Sequence, residues 1–600
     1  MNKPIQNVPI LSLRTTVAAV TGALFMTTLS LSPGCQSPVA RQKSDNQLAH
    51  SLSQYESVEL DGVSGNSVTL TSPASSLEGD FTEERLHELE KKAGPQSYPD
   101  TPISVGDDLL GSQVTVIKVG LREAIQATVK NNLTVQSASM NPAISEAGIT
   151  AAEARFDGSV LNNIGFNKTD EPSATPIIGG IPVGTGFNAS QSWRFRTAIQ
   201  KNLITGGQIE VATEVNRSNN KNPGLALAPD PAFSTSLELA ITQPLLRGFG
   251  SEVNLAQVNI NRNANRNQIE GYRSSLLTAV NQVELAYWQL WQNRQGLRVG
   301  ERLLERGHET ADKLIKRQHF DAKPSEISDA KSRVQRREVT LARAREAVLR
   351  ASDNVKTIMN APGFPVGSEI MVVPTDQPVK EPVTYNYRDA VLTALRNRPE
   401  IRQALLDIDD SSIRQLLADN LRLPRFDLDA RIRWNGLDNT FGQAYGSITD
   451  DNFIDYIVNA VVEFPIGNRE AQANYRAARL QRMQSIVRYE QTIQQVIQQV
   501  KDSLRAVKLN YELLGPTRDS RLAATEALRT IEVQEEHQAA MTPEFLNLKL
   551  QRQETLASAE LDEISTIATY QISLAQFYTA IGYNLQRNNI DFVIPDSQIK

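Results

Sequence analysis

The chain is 600 residues long, 40% hydrophobic and 22% charged, and 62 Lys+Arg against 68 Asp+Glu leave a net charge of -6. One core seldom grows past roughly 250–300 residues, so several units are needed, and the ordinary composition excludes wholesale disorder. A mean hydropathy of -0.34 excludes a bundle of membrane-spanning helices. The charge balance gives nucleic acid no footprint, and one cysteine with five histidines excludes a disulfide framework and argues against a Cys/His metal centre. A transmembrane β-barrel stays open, because alternating strands leave little trace in average hydropathy.

Lys3 and Arg14 precede the apolar stretch Val17–Leu31, the pattern of an export signal rather than a stop-transfer helix. The only cysteine ends it, in Leu31-Ser32-Pro33-Gly34-Cys35-Gln36. This resembles a bacterial lipoprotein box, in which Cys35 becomes the acylated amino terminus. Ser32 and Pro33 depart from the usual Leu-small-small-Cys pattern, so an ordinary signal peptide with an incidental thiol is the alternative. After this 1–35 segment, residues 36–104 are rich in Ser, Pro, Gly and Gln and read as a flexible tether, with one charged helix expected at Thr82–Lys92.

An internal repeat organises the rest. Leu121–Ala138 aligns without a gap with Tyr387–Ala404, matching Arg122/Arg388, Ala124/Ala390, Asn131/Asn397 and Val135/Ile401 at an offset of 266. Thr242-Gln243-Pro244 then pairs with Glu463-Phe464-Pro465 at an offset of 221, and His319…Glu326 with His537…Glu544 at 218. Two copies of one unit follow, at 105–360 and 385–585, joined by a linker at 361–384 and ending in a tail at 586–600. The first copy carries about 45 extra residues between its opening helix and its Pro motif, from the difference of the offsets.

Each copy repeats one order of elements. Opening helices are expected at 119–154 and 385–421, and strands at 159–167, 193–203, 208–215 and 234–241, then 425–434 and 454–464. Phe426, Leu428, Ala430 and Ile432 alternate with Arg425, Asp427, Asp429, Arg431 and Arg433, which is period two with one apolar and one charged face. Long helices are expected at 253–319 and 468–537, each with a return helix, 325–359 and 543–582. Ile269, Leu276, Val283, Leu290, Leu297, Leu304 and Ala311 keep a seven-residue spacing, as do Ile486, Ile493, Val500, Val507 and Leu514. A second seam runs through Tyr272, Ala279 and Ala286, and through Ile497, Leu504 and Tyr511. Sustained heptads predict left-handed coiled-coil packing, at about 1.5 Å per residue. Gly515-Pro516 is expected to break or kink the second long helix.

Several motifs carry a resemblance. Ile241-Thr-Gln-Pro-Leu-Leu-Arg-Gly-Phe-Gly250, with Gln243, Pro244, Leu245, Leu246, Arg247 and Gly248 at its centre, is similar to the strand-end motif of the TolC family of outer-membrane efflux proteins. Asn397-Arg-Pro-Glu-Ile401 and Leu423-Pro-Arg-Phe-Asp-Leu428 resemble its second-copy signatures, and Lys323–Ala330 and Met541–Asn547 its two hairpin tips. The ordered set spans 115–585. The fold this implies is mainly α with β: a two-fold internal repeat, coiled-coil hairpins forming an α-barrel, and strands contributing to a trimeric transmembrane β-barrel. Four strands per chain would make the family's 12-stranded wall. Copy one offers four strand candidates rather than two, so either the extra pair forms an extracellular hairpin or the wall is counted differently.

The resemblance also implies site residues. The family's second-copy tip carries two carboxylates that ring the periplasmic entrance; here they match Glu544 and Asn547, so one acid is kept. A plainer reading makes Glu544 a first-turn acid favourable to the helix dipole. Glu326 and Asp329 hold the equivalent first-copy position. Pro324 and Pro543 open the return helices, and His319 and His537 precede them; together with Glu326 these are candidate adaptor contacts at the tips. Trp193 and Trp434 are candidates for an aromatic girdle, whereas Trp288 and Trp291 beside Tyr287 read as packing.

No Walker loop, dinucleotide turn, His-Glu-x-x-His or supported Ser/His/Asp grouping is present, so no enzyme and no cofactor is expected. The expected function is a passive outer-membrane channel reaching into the periplasm, a homotrimer docked to a periplasmic membrane-fusion adaptor and an inner-membrane pump for efflux or type I secretion. The alternative is a periplasmic coiled-coil scaffold or adaptor-like spacer without a pore.

Overall fold

A computed structural model describes residues 67–594, apart from short stretches at 72–76, 78–80, 95–96, 98–104, 107–108, 110, 173, 176, 183–185, 222–226, 320–322, 451–452 and 538–541. The export signal, Cys35 and most of the tether lie outside the described residues. In chain order, β1 (Val68–Thr69) and α1 (Glu83–Lys92) precede β2 (Val116–Val119), α2 (Leu121–Asn131) and α3 (Leu133–Glu153). Strands β3 (Gly158–Pro172), β4 (Ile177–Ile178), β5 (Ile181–Pro182), β6 (Phe187–Asn202), β7 (Gln208–Asn220) and β8 (Ala232–Pro244) follow. Next come α4 (Ser251–Asn254) and the first hairpin, α5 (Ala256–Lys316) with α6 (Pro324–Met359). The linker holds β9 (Met371–Pro374) and β10 (Thr384–Tyr385). The second half follows as α7 (Tyr387–Asn397), α8 (Pro399–Asn420), β11 (Arg425–Asp438), α9 (Phe441–Gly446), β12 (Ile454–Glu463), α10 (Arg469–His537), α11 (Pro543–Ala580) and a last turn α12 (Asn584–Arg587).

Each expected opening helix is two helices, for local reasons. Asn132 leaves helical geometry at ψ 125°, and its side chain accepts the Thr134 and Val135 amides to start α3. Arg398 is likewise extended because Pro399 follows it and takes the first position of α8. Pro516, by contrast, neither breaks α10 nor ends it: Arg469–His537 is one helix with Pro516 inside. The Thr517 hydroxyl donates to Leu513 O at 2.8 Å beside the proline, and α10 is held along its length by α8, α11 and α1, so tertiary contact outweighs the one lost amide bond.

Six long strands form one antiparallel sheet in the order β12-β11-β8-β7-β6-β3. The register puts the odd-numbered residues of β11 opposite Thr242, Ala240 and Glu238 of β8, and the even-numbered ones opposite Gln243, Ile241, Leu239 and Leu237. Followed across the ladder, one face carries Val160, Ile164, Trp193, Phe195, Val211, Leu239, Ile432 and Val458. The opposite face carries Arg196, Glu210, Glu238, Arg431 and Arg433. The connection after β11 folds back as α9, where Thr235 Oγ1 donates to Ala444 O at 2.6 Å. Gly436 is required there, because a Cβ would lie 2.0 Å from that carbonyl.

At 1.5 Å per residue the outgoing helices α5 and α10 run about 90–105 Å and the return helices α6 and α11 about 55 Å, and the heptad residues of the outgoing helices point inward. Leu276, Val283, Leu290 and Leu297 of α5 pack in the main core with Leu341, Val348 and Val355 of α6 and Ile564 and Ala568 of α11. Tyr287, Trp288 and Trp291 are buried in the same core, as packing residues. The linker crosses this belt: β9 pairs in parallel with β2, and Tyr287 Oη donates to Asp376 Oδ2 at 2.6 Å. Burial, with that carboxylate, pushes the Tyr287 phenol well above its usual range. Among the described residues no helix is long and apolar enough to cross a membrane, and no cluster of metal ligands occurs.

The helix expected within the tether is α1, and it is docked. Leu89 is fully buried, Ala93 packs with Leu528, Leu556 and Ala559, and Arg85, Glu88 and Glu90 pair with Glu526, Arg529 and Arg518 of α10 at 2.9, 2.9 and 2.7 Å. Upstream, β1 pairs with β10.

Candidate functional site

Three places gather polar side chains whose positions the fold dictates: the corner where sheet meets helices, the charged face of the sheet, and the hairpin ends.

The corner is built on the strand-end motif. Pro244 ends β8, and Leu245 N and Arg247 N donate to Phe426 O and Pro424 O at 2.7 and 3.2 Å, tying the first half's exit to the second half's entry. Arg247 faces Glu463 at 3.7 Å, and Gly248 N donates to Asn420 Oδ1 at 2.7 Å. The tight turn between β6 and β7 docks on this corner. Thr205 Oγ1 donates to Gln243 Oε1 at 2.9 Å, and Gly250 N to Thr205 O at 3.1 Å. Gly206 sits at φ +93°, and a Cβ there would lie 2.2 Å from Gly248 O, so only glycine fits this approach. The motif's backbone turns the chain and receives a hairpin end; Leu245 and Leu246 remain exposed.

On the charged face, Glu238 is 6% exposed and sits among three arginines. Arg433 Nε donates to it at 2.7 Å, while Arg431 and Arg196 each stand 4.0 Å away. Arg196 also meets Glu210 at 2.5 Å, Arg431 meets Asp429 at 2.6 Å, and Arg194 meets Glu214 at 3.2 Å. The chain of charges therefore crosses β6, β7, β8 and β11. The alternation in β11 announced half of it; the partners on β6 to β8 needed the register. On the opposite, apolar face, Trp193 packs on Phe166 with centroids 4.8 Å apart and lies 6.3 Å from Phe195. Trp434 lies on that same face three strands away, with β7 and β8 between.

At the hairpin ends, Pro324 and Pro543 open α6 and α11 as expected, and Thr542 accepts the Phe545 amide. Glu326 is buried, and its carboxylate accepts the Lys323 amide at 3.2 Å. It caps its own helix and is withdrawn from the surface. Glu544 is exposed on the first turn of α11, and His319 and His537 are exposed at the ends of the outgoing arms. Asn547 does not stand alone: Arg333 Nη2 donates to its Oδ1 at 2.9 Å.

Residues absent from the sequence reading tie the two hairpins together here. Glu535 of α10 receives Lys549 of α11 at 2.6 Å and Lys313 of α5 at 3.3 Å. Burial opposes its charge, but these two lysines hold the Glu535 carboxyl below the usual carboxylate range. Arg337 of α6, buried beside Gly307, donates to Gln553 Oε1 at 3.1 Å and to Leu303 O at 3.0 Å. A Cβ at Gly307 would lie 2.8 Å from that guanidinium. Beneath them Leu314, Ile327, Val334, Leu546 and Leu550 form a separate apolar cluster. No single residue type marks this lock in the sequence, because the partners of Lys313, Arg333 and Arg337 lie more than 200 residues away.

Residues 391–583 match the family model described as "Outer membrane efflux protein". A comparison with curated proteins finds no match. Among solved structures, the fold is similar to the CmeC outer membrane channel of Campylobacter jejuni, with a TM-score of 0.55 and 12% identity over 78% of this chain and 90% of that one. It is similar to the outer membrane protein VceC of Vibrio cholerae, with 0.54 and 13% over 77% and 96%. The open state of the MtrE outer membrane channel of Neisseria gonorrhoeae gives 0.53 and 16% over 81% and 96%.

Proposed function

We propose that this chain, with the outer membrane efflux region at 391–583 and the fold of outer-membrane channels, is the outer-membrane exit duct of an export assembly. Three copies close their sheets into one barrel and continue it with their helical hairpins as a tube through the periplasm. The duct is passive; an inner-membrane pump, joined through a periplasmic adaptor at the hairpin ends, supplies the energy. The chain is a duplicated unit in this reading, with halves at 105–360 and 385–585.

One observation carries the proposal. A sheet that is mainly apolar along the middle of one face, with Lys201 toward one end and Lys168 and Arg217 toward the other, is joined in the same chain to two hairpins whose outgoing helices are about 90–105 Å long. Ile164, Tyr456, Val458 and Val462 on that face are each at least 70% exposed in the single chain. Lipid accepts such a face, while in lipid the outer strands β3 and β12 must find partners. The ion-paired face then lines a water-filled way. A spacer without a pore would leave the apolar face in water, which disfavours that alternative.

Glu544 is the proposed constriction residue, contributing one carboxylate per copy at the narrowed end. Planar-bilayer recording of the purified full-length protein tests both levels. A trimer with cation preference that falls in Glu544→Gln is expected; a folded trimer that never conducts would sink the duct reading. Acylation of Cys35 is a separate proposal, and fatty-acid labelling that persists in Cys35→Ala would end it.

A further inference from the structure

We infer that each copy places six strands in the barrel wall, so that three copies close an 18-stranded barrel whose mouth passes water-soluble cargo of larger cross-section than a 12-stranded wall allows. The inference rests on the trimeric duct proposed above. It settles the place of the extra hairpin, β6 with β7, which the second half of the chain lacks.

Three observations place that hairpin in the wall rather than beyond it. First, the sheet is continuous: β3 pairs with β6 from Gly158 to Pro172, β6 with β7 from Ser190 to Asn202, and β7 with β8 from Gln208 to Ser218. A hairpin displaced from the wall would leave β3 against β8. Second, its turn at 203–207 lies at the helix end of the sheet, where Thr205 is hydrogen-bonded to Gln243 and Gly250 of the corner and Gly206 packs closely against Gly248. An extracellular flap would have its turn at the other end. Third, both added strands share the two faces of their neighbours. Trp193, Phe195 and Ile199 of β6 and Ile209, Val211 and Val215 of β7 continue the apolar face, and Arg196 and Glu210 continue the charged one toward Glu238.

Closure then follows from direction. β3 leaves the helix end and β12 returns to it, and among the described residues each is paired on one side only. Set beside β3 of the next copy, β12 runs antiparallel to it, as every neighbouring pair within the sheet does. Six strands from each of three copies, 18 in all, therefore close without a parallel seam. Barrel diameter grows roughly linearly with strand number, so the wall is about 1.5-fold wider than one of 12 strands and falls in the size class that leaves an aqueous channel. Its lining of paired Arg, Glu and Asp suits hydrated cargo of either charge. The narrow point of the duct is then the hairpin end, not the sheet.

The test uses the full-length trimer. Single-particle imaging should count 18 strands in cross-section. In a Cys35→Ser background, Leu161→Cys with Ala198→Cys, which face each other across β3 and β6, should form a disulfide within one copy, and Leu161→Cys with Ala240→Cys should not. Polyethylene glycols added from the sheet side should enter at sizes that a 12-stranded channel excludes, whatever the state of the hairpin ends. A 12-stranded trimer, or the Leu161/Ala240 disulfide in place of the Leu161/Ala198 one, overturns the wide wall and leaves the duct standing. A protein that forms neither trimer nor pore overturns both.

Discussion

Arg333 of α6 donates through Nη2 to the Asn547 side-chain oxygen of α11 at 2.9 Å, a bond that joins the end of the first hairpin to the end of the second. The same guanidinium reaches Asp329 at 3.1 Å and Glu554 at 3.5 Å. Where two carboxylates would stand in the resembling family, this chain thus has one exposed acid, Glu544, and one amide engaged in holding the hairpins together.

Asn547→Asp should therefore act mainly as a fastener. The new carboxylate would pair with Arg333, adding about 0.2–1 kcal/mol to the contact, and closed dwell times in single-channel records should lengthen by up to about fivefold. Arg333→Met should shorten them. If Asn547→Asp instead changed ion selectivity and left dwell times alone, the residue would face the constriction unpaired.

Glu535 makes the same contact acid-sensitive. Its carboxyl is depressed in the folded chain by Lys549 and Lys313 against the opposing effect of burial, relative to the ordinary value of 4.5. A depressed carboxylate stabilises above its unfolded value, and that contribution fades as pH falls below 4.5 toward the folded value. Hydrogen exchange in 531–550 should speed up in that acid window. Glu535→Gln should show the faster exchange already at pH 7 and lose the step.

Glu284 works with the opposite sign. It is 2% exposed, and burial raises its carboxyl despite Arg587 and the Asn588 amide at 2.8 Å. A raised carboxyl stabilises fully below 4.5 and progressively less as pH rises through the folded value. Glu284→Gln should raise Tm at pH 8 and leave it nearly unchanged at pH 4; equal shifts at both pH values would contradict the assignment.

Docking of α1 rests on one apolar anchor and a buried pair. Arg521 and Glu563 are ion-paired with side chains 3% and 2% exposed, and Arg521 Nη1 also donates to Ala93 O at 2.6 Å. Leu89→Ala should cost about 2–5 kcal/mol of docking and expose residues 83–92 to proteolysis with the hairpins intact. Arg521→Met should cost up to about 3–5 kcal/mol by leaving buried Glu563 with Lys380 alone, 3.9 Å away, and the double change to Met and Leu should recover most of it.

Glu238 sits at the centre of the sheet's charged face, the face proposed to line the channel. Removing it among three arginines, as Glu238→Gln, should move the reversal potential toward anion preference in a salt gradient. No shift would mean that this face does not line the conducting path.

Much of this architecture was written locally. Strict seven-residue recurrence from Ile269 to Ala311 and from Ile486 to Leu514 needs only helical geometry to predict long seamed helices, and alternation in Arg425–Trp434 needs only the pleat to predict a two-faced strand. The paired Pro motifs and tips were likewise legible, because turns and caps are chosen by the residues that form them. What the chain could not declare locally depends on contacts across hundreds of positions. Whether Pro516 ends a helix was decided by the elements packed around it, and whether 83–92 floats or docks by a groove made from residues 518–563. The place of β6 and β7 was decided by register with β3 and β8, since alternation tells a strand which faces it has but not which neighbour it will take. The same holds for Asn547, whose meaning changed once Arg333, distant in sequence, was seen to hold it: hydrogen bonds and ion pairs depend on separations of a few ångströms, and only tertiary structure brings those separations about.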